Sequence, residues 1–424
     1  MPSKILRRFL CCLTENNTAF FVAVYMLFFM LFFNRGIFIS LYLATLLGFI
    51  LLYPILKKDY AIFVHCLWIP FLFFAYIALT PGMLFKDINL SGTMFFSFIV
   101  GVSFAIFLKD KLWHIGCGML FALIASLIIF VVRGFPKDML WNGRMRLFFD
   151  HPSILSFITG LLFLFFVNKW NTQNPERKKI ATIGSFISFS IVALCAARGT
   201  FLAVALGSVF LGIVIYRRYW GQFFLVTIVC GGILLSLLSA HERERALSAI
   251  QNPFEDATFI SRQPIWDAAI AGFKESPLIG NGFRSFESYH ERFITEYAKE
   301  LNAKYPVVET SIASPHNIYL GIAFGYGSIG IILLLAILLP AIRWAIIDKV
   351  YLFPAVLFFY AGYGLFDYPL HRKDGILLLF FPLGFMYGKR LLVALQRQLP
   401  AQHDQPCGAQ AEKRIYDRRG GRTP

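Results

Sequence analysis

Charged residues are scarce in this 424-residue chain, 15% against about 25% in a typical soluble domain. Apolar residues make up 58% and the mean hydropathy is +0.64, which excludes a water-soluble globule. Cysteine is sparse as well. The seven present (Cys11, Cys12, Cys66, Cys117, Cys195, Cys230 and Cys407) include no CxxC pair, and none lies between residues 240 and 315. A disulfide framework is thereby excluded from that stretch, and no His/Cys group has zinc spacing. His241-Glu242 and His290-Glu291 lack a second histidine at helical spacing and read as solvated surface pairs rather than metal ligands. Phosphate-cradling motifs are missing too; Gly280-Asn281-Gly282 is a bare GxG, better read as a turn. Nothing in the sequence asks for a nucleotide, a metal or another cofactor.

Phenylalanine, by contrast, is abundant at 48 residues. Apolar runs of about 17–25 residues recur, each long enough to cross about 30 Å of hydrocarbon. They lack the apolar–polar alternation of barrel strands, which leaves helices to satisfy the backbone in lipid. The chain reads as an all-α polytopic membrane protein with about twelve transmembrane helices. They fall near 18–34, 36–56, 61–81, 94–108, 112–132, 153–168, 181–197, 200–216, 221–239, 317–342, 350–366 and 375–388. Alternate connectors carry the positive charge: Lys4, Arg7 and Arg8, then Lys57 and Lys58, then Lys109 and Lys111. Lys169, Arg177, Lys178 and Lys179 follow, then Arg217 and Arg218, Arg343 and Lys349, and the C-terminal tail. The positive-inside bias places that side and both termini in the cytoplasm. The net charge of +16 is therefore topology. A nucleic-acid surface would need the basic residues gathered on one folded domain, and none is present.

One long polar stretch, residues 240–315, separates spans nine and ten. It holds eight Lys/Arg and eleven Asp/Glu, a net −3, and falls on the external side. Loops of that length usually carry function. The chain divides into spans one to nine (1–239), an external loop with amphipathic helices (240–315), spans ten to twelve (316–390) and a basic cytoplasmic tail (391–424). The tail's polar, Gly-rich composition fits disorder and contact with anionic lipid.

Three positions stand out. Arg198, in Cys195-Ala-Ala-Arg-Gly-Thr200, interrupts a nearly continuous apolar stretch at the external end of a tight helical hairpin, with Gly199 allowing the turn. An arginine at that depth either snorkels to headgroups or offers a fixed charge to an anionic ligand. Arg262 opens an amphipathic helix in which Ile265, Trp266, Ala269, Ile270 and Phe273 recur at helical spacing. Ser261 is its expected N-cap, and Pro264 fits the first turn. Either this is an ordinary surface arginine, or guanidinium and helix start together bind a phosphate. His316, in Ser314-Pro-His-Asn-Ile-Tyr-Leu320, sits where the next helix begins and runs through Gly321, Gly325, Gly327 and Gly330. It is either structural or a proton acceptor at the membrane boundary.

At these residues the chain resembles the bacterial superfamily of O-antigen ligases, O-antigen polymerases and O-oligosaccharyltransferases, and most of all the lipopolysaccharide O-antigen ligases. Met145-Arg-Leu-Phe-Phe-Asp-His-Pro-Ser153 is similar to an external segment with an aromatic and a His-Pro-Asn turn, with Ser153 standing where the family usually has Asn. Ala197-Arg-Gly-Thr200 resembles the intramembrane Arg hairpin. Arg262…Trp266-Asp-Ala-Ala…Phe273…Pro277-Leu-Ile-Gly-Asn-Gly-Phe283 resembles the loop signature. His316-Asn317-Ile-Tyr319-Leu320…Gly327-Ser-Ile-Gly330 is similar to the His-Asn-x-Tyr-Leu…Gly-x-x-Gly box, and Asp367-Tyr-Pro-Leu-His371 to a late external motif. The likeness spans roughly 140–375.

The resemblance implies a glycosyltransferase of the bacterial inner membrane. Its donor would be a glycan on undecaprenyl diphosphate, and its acceptor, for a ligase, the lipid A-core oligosaccharide. Transfer at the periplasmic face would be inverting and metal-independent. His316 would be the catalytic base, with Arg198 and Arg262 neutralising the diphosphate. Arg146, His151, Asn317, Tyr319 and Asp367 would line the substrate site. Polymerase and protein O-oligosaccharyltransferase remain alternatives; compact length and one large late loop lean toward ligase. A lipid-linked glycan flippase is the reading from another class. Its markers, internal repeats or Gly/Pro-broken spans in matching positions of two halves, are not evident.

Overall fold

A computed structural model describes residues 18–32, 37–79, 88–141, 143–217, 221, 257–306 and 308–398. Within these the chain is helical, apart from a short hairpin, β1 (Leu140–Trp141) against β2 (Arg144–Met145). The first helices are α1 (Thr18–Leu31), α2 (Ile37–Leu79), α3 (Ile88–Phe107), α4 (Leu112–Val132), α5 (Pro152–Val167), α6 (Pro175–Leu194) and α7 (Arg198–Ile215). After the undescribed 222–256 come α8 (Ala257–Glu275), α9 (Phe286–Glu296) and α10 (Ala298–Lys304), then α11 (Ile318–Ile347), α12 (Leu352–Tyr363) and α13 (Lys373–Gln398). Among the described residues, seven segments are long and apolar enough to cross a membrane, and α1, α5 and α12 are shorter apolar helices. The protein is thus an all-α polytopic membrane protein. The expected ninth span, at 221–239, falls almost wholly outside the described residues, as do His241 and the tail beyond Gln398.

Spans two and three share α2, which breaks at Asp59 (φ −130°, ψ 42°). The break is a reversal. Tyr42 and Gly48 of its first half meet Phe96 and Ser103, while Phe71 and Phe74 of its second half meet Phe95 and Ser91. One half therefore runs parallel to α3 and the other antiparallel. Lys57 is left at the end of the bundle that α3 reaches beside Lys109.

Other contacts sort the connectors in the same way. Arg177 lies over Trp113, Tyr216 donates to the Val167 carbonyl, and Asp348 pairs with Lys389 and Arg390. The basic connectors thus share one end of the bundle. The opposite end gathers the 133–151 segment, the α6–α7 turn, the loop helices and the α11, α12 and α13 ends that face them.

The centre is close-packed. Helices α3 and α13 touch backbone to backbone, since a Cβ on Gly101 would collide with the Phe381 carbonyl and one on Gly384 with that of Phe98. Small residues permit such approach where packing, rather than water, drives helix association. Around this seam Phe74 meets Phe98 edge to face and Phe380 at a tilt, and Phe104 meets Phe381 edge to face, arrangements worth more than their buried area alone.

Candidate active site

The loop is bolted into a broken helix. At Gly327 (φ 60°, ψ −167°) α11 leaves helical geometry, so the expected run through Gly321–Gly330 is interrupted. A break frees backbone groups that lipid cannot satisfy. The segment after α8 supplies the partners. Asn281 and Gly282 donate their N–H to the carbonyls of Phe324 (2.8 Å) and Gly325 (2.9 Å). Ser328 and Ile329 donate theirs to Pro277 (2.8 Å) and Leu278 (3.1 Å). Tyr76, from α2, hydrogen-bonds with its hydroxyl to Ile279 O and Tyr326 O. Gly280 and Gly282 have φ of +80° and +77°, and a Cβ at Gly280 would strike the Gly325 carbonyl. The GxG is therefore a turn, as its composition predicts, and also half of a lock.

This lock positions α8, but not as expected. The helix already runs from Ala257, so Ser261 is not its N-cap, Pro264 lies inside it, and Arg262 is not at its start. A proline can sit there only by giving up the bond its N–H would make to Ile260. The helix-start argument passes instead to Arg198, the first residue of α7. There the turn is made by Ala196 (φ 49°) rather than Gly199. Gly199 serves close approach, because a Cβ there would press on Phe366, the neighbour of Asp367.

His316 lies between these parts. One turn beyond Arg262, Trp266 donates its indole N–H to Pro315 O at 3.1 Å. On the other side, Ile318 N–H donates to Gly364 O at 2.7 Å. Held from both directions, His316 adopts φ 48°, which costs a non-glycine residue about 1–2 kcal/mol. Its Nδ1 is 3.4 Å from Asp367 Oδ1; the imidazole is 36% exposed and the carboxylate 15%. A proton on Nδ1, facing Asp367, leaves Nε2 as the acceptor.

Asp367 is itself gripped. Tyr363 Oη donates to it at 2.8 Å, the Tyr368 N–H at 2.8 Å, and Arg372 lies 3.5 Å away. Burial would push this carboxyl up, yet the bond from His316 and the Arg372 charge hold it well below the usual carboxylate range. Arg372 also pairs with Asp374 at 3.5 Å. Burial opposes its charge, but Asp374, Tyr363 and Asp367 keep the guanidinium more firmly protonated than an ordinary arginine. Arg372 and Asp374 did not figure in the sequence reading. The only signal was a cluster of charges just before an apolar run, which looks like any span flank.

The remaining predicted residues turn out to have structural occupations. Asn317 caps α11, accepting from Tyr319 N and Leu320 N. Tyr319 Oη donates to Ala361 O at 2.9 Å. Arg146 spends Nε and Nη2 on Asp138 O and Nη1 on Asp150 O. His151 caps α5, and burial, then the nearby Arg144 charge, hold its pKa below the ordinary histidine value. His290, expected on the surface, is fully buried against Phe286. On the amphipathic α9 it takes an inward position, so it belongs to the small core of the loop.

The site end of a helical membrane bundle thus presents a histidine–aspartate pair, arginine-bearing helices and a loop fastened over them. That is the build of a polytopic membrane protein with a candidate site on one face. Residues 183–335 match the family described as O-antigen ligase, which supports the O-antigen ligase and polymerase superfamily for this segment. The matched stretch, just over a third of the chain, contains Arg198, Arg262 and His316. It is narrower than the 140–375 likeness and leaves out His151 and Asp367. No curated protein matches the chain.

Proposed function

We propose that the protein is an O-antigen ligase, moving a glycan from undecaprenyl diphosphate to a sugar hydroxyl of lipid A-core at the periplasmic face of a bacterial inner membrane. The observation that carries this reading is the His316–Asp367 pair where loop and bundle meet. His316 Nε2 takes the proton of the acceptor hydroxyl as that oxygen bonds to the anomeric carbon. The bond from this carbon to the diphosphate oxygen breaks, and the carbon inverts. Asp367 fixes the imidazole and stabilises its charged form, the division of labour expected of a base and its orienting carboxylate. Negative charge gathers on the leaving diphosphate, where Arg198 at a helix start and Arg262 on the loop helix face it. The energy of the sugar–diphosphate bond drives the transfer. Both termini are then cytoplasmic, and 240–315 is a periplasmic wall between 1–239 and 316–390.

Removing either arginine should lower kcat by about 10²–10³-fold, the cost of losing one preorganised donor. Lysine should rescue only part of it, since it keeps the charge and loses the fork. Steady-state transfer by Arg198→Ala, Arg198→Lys and the matching Arg262 variants measures both.

The choice within the superfamily is tested by reconstituting the full chain, in EDTA, with the lipid-linked donor and three separate acceptors: lipid A-core, a second lipid-linked repeat, and a Ser-rich peptide. Transfer to the core is expected. Transfer to the repeat alone would make the protein a polymerase, transfer to the peptide alone an oligosaccharyltransferase, and a need for added metal would overturn the chemistry.

A further inference from the structure

The β1–β2 hairpin takes no part in this chemistry, yet it presents an exposed aromatic ring beside the site. Trp141 is 43% exposed. The Arg146 guanidinium, fixed by three bonds to backbone carbonyls, stands over the indole at 5.7 Å. The His151 ring meets it edge-on at 5.5 Å. Arg144 Nε fastens the same hairpin to Cys195 O, next to the turn that carries Arg198. The indole is therefore held in place rather than loosely displayed.

His151 supplies the second observation. Its Nδ1 accepts the Ser153 backbone N–H at 3.1 Å and lies 2.7 Å from the Ser153 hydroxyl. The neutral ring must then carry its proton on Nε2. Among the described residues no protein group accepts from that N–H. The turn that carries this ring reaches the His316–Asp367 pair, because Tyr363 Oη lies 3.3 Å from Ser153 O and 2.8 Å from Asp367 Oδ2.

A rigid aromatic face next to one oriented donor suits a ligand with an apolar face and acceptor oxygens around its edge. An acyl chain would leave the donor unused. A diphosphate would be drawn to the arginines. We propose that Trp141 and His151 form a saccharide subsite: the indole stacks on the C–H face of a pyranose ring, and His151 Nε2–H donates to one of its oxygens. The proposal rests on the glycosyl-transfer reading, and the sugar belongs either to the donor glycan or to the acceptor.

The test is transfer kinetics of the reconstituted full chain, varying donor and lipid A-core separately. Trp141→Ala should raise one KM roughly tenfold with kcat held within about twofold, and Trp141→Phe, which keeps an aromatic face, should retain most of the affinity. A rise in donor KM alone assigns the ring to the donor, and a rise in acceptor KM alone to the acceptor. Should the alanine variant fail to accumulate, His151→Phe, which deletes the donor, takes its place and should raise the same KM. Unchanged KM values, or a fall in kcat alone, overturn the subsite while His316→Ala still reports on the transferase. Unchanged KM values with less protein in the membrane would make Trp141 an interfacial anchor instead. A wild-type protein that transfers no glycan to any acceptor removes the glycosyl-transfer reading itself, and the subsite falls with it.

Discussion

Replacing His316 by alanine should cut kcat by about 10²–10⁴-fold, the usual contribution of a positioned base, while the protein still accumulates in the membrane. The physical reason lies in the pairing. Asp367 is sheltered and held ionised by Arg372, Tyr363 and the Tyr368 N–H, whereas His316 is the more open partner. Asp367→Asn should therefore lose much of the same activity without removing the base, because an amide no longer stabilises the imidazole once it has taken the proton. Residues that act as one unit are not additive. The double variant should be little worse than His316→Ala, and a cycle of single-turnover rates measures this. Near-normal activity in His316→Ala, or losses that simply multiply, would sink the assignment.

The second large effect is expected at Gly327. Its φ of 60° and ψ of −167° lie in a region that is essentially glycine-only and costs other residues about 1–3 kcal/mol. A Cβ there would also run into the Leu278 carbonyl. Gly327→Ala should open the bonds that join Pro277–Gly282 to Phe324–Ile329, releasing α8 from the bundle. Transfer should be lost, and hydrogen exchange at the Asn281 and Ser328 amides should rise at least tenfold, about 1.4 kcal/mol of lost protection. Gly134→Ala is the control, since its φ is also positive but nothing lies within 4 Å of the added carbon. If both variants exchange and transfer alike, the lock is not what positions the loop.

The class and most of the helices were legible because lipid imposes one rule on every residue of a span, and hydropathy reads that rule directly. Most described helices begin and end within a few residues of the expected spans; α3 and α6 start earlier, behind polar or charged first turns, and α11 and α13 run on to Ile347 and Gln398, past the expected ends at 342 and 388. His316 and Arg198 stand out in the sequence because polar residues at the edges of apolar runs are few, and Arg262 because an amphipathic repeat follows it. What could not be read was partnership. Arg372 and Asp374 look like ordinary flanking charges until the chain brings them behind Asp367. The break at Gly327 was invisible because its cause lies about fifty residues upstream, in the turn that hydrogen-bonds to it. Ala196 gave no sign of a left-handed turn, and Gly199 drew attention for the wrong reason.

The bonding between 277–282 and 324–329 has a consequence for how such proteins can diverge and be recombined. The loop looks like a cassette that could be exchanged to alter acceptor preference, with its natural borders at 240 and 315. Its hydrogen-bond partners, however, lie beyond the second border, inside a helix that a swap of that kind would leave behind. A graft that ends before Phe324 would set a foreign turn against a native break, and a graft that continues past Ile329 would carry both halves of the fastening together.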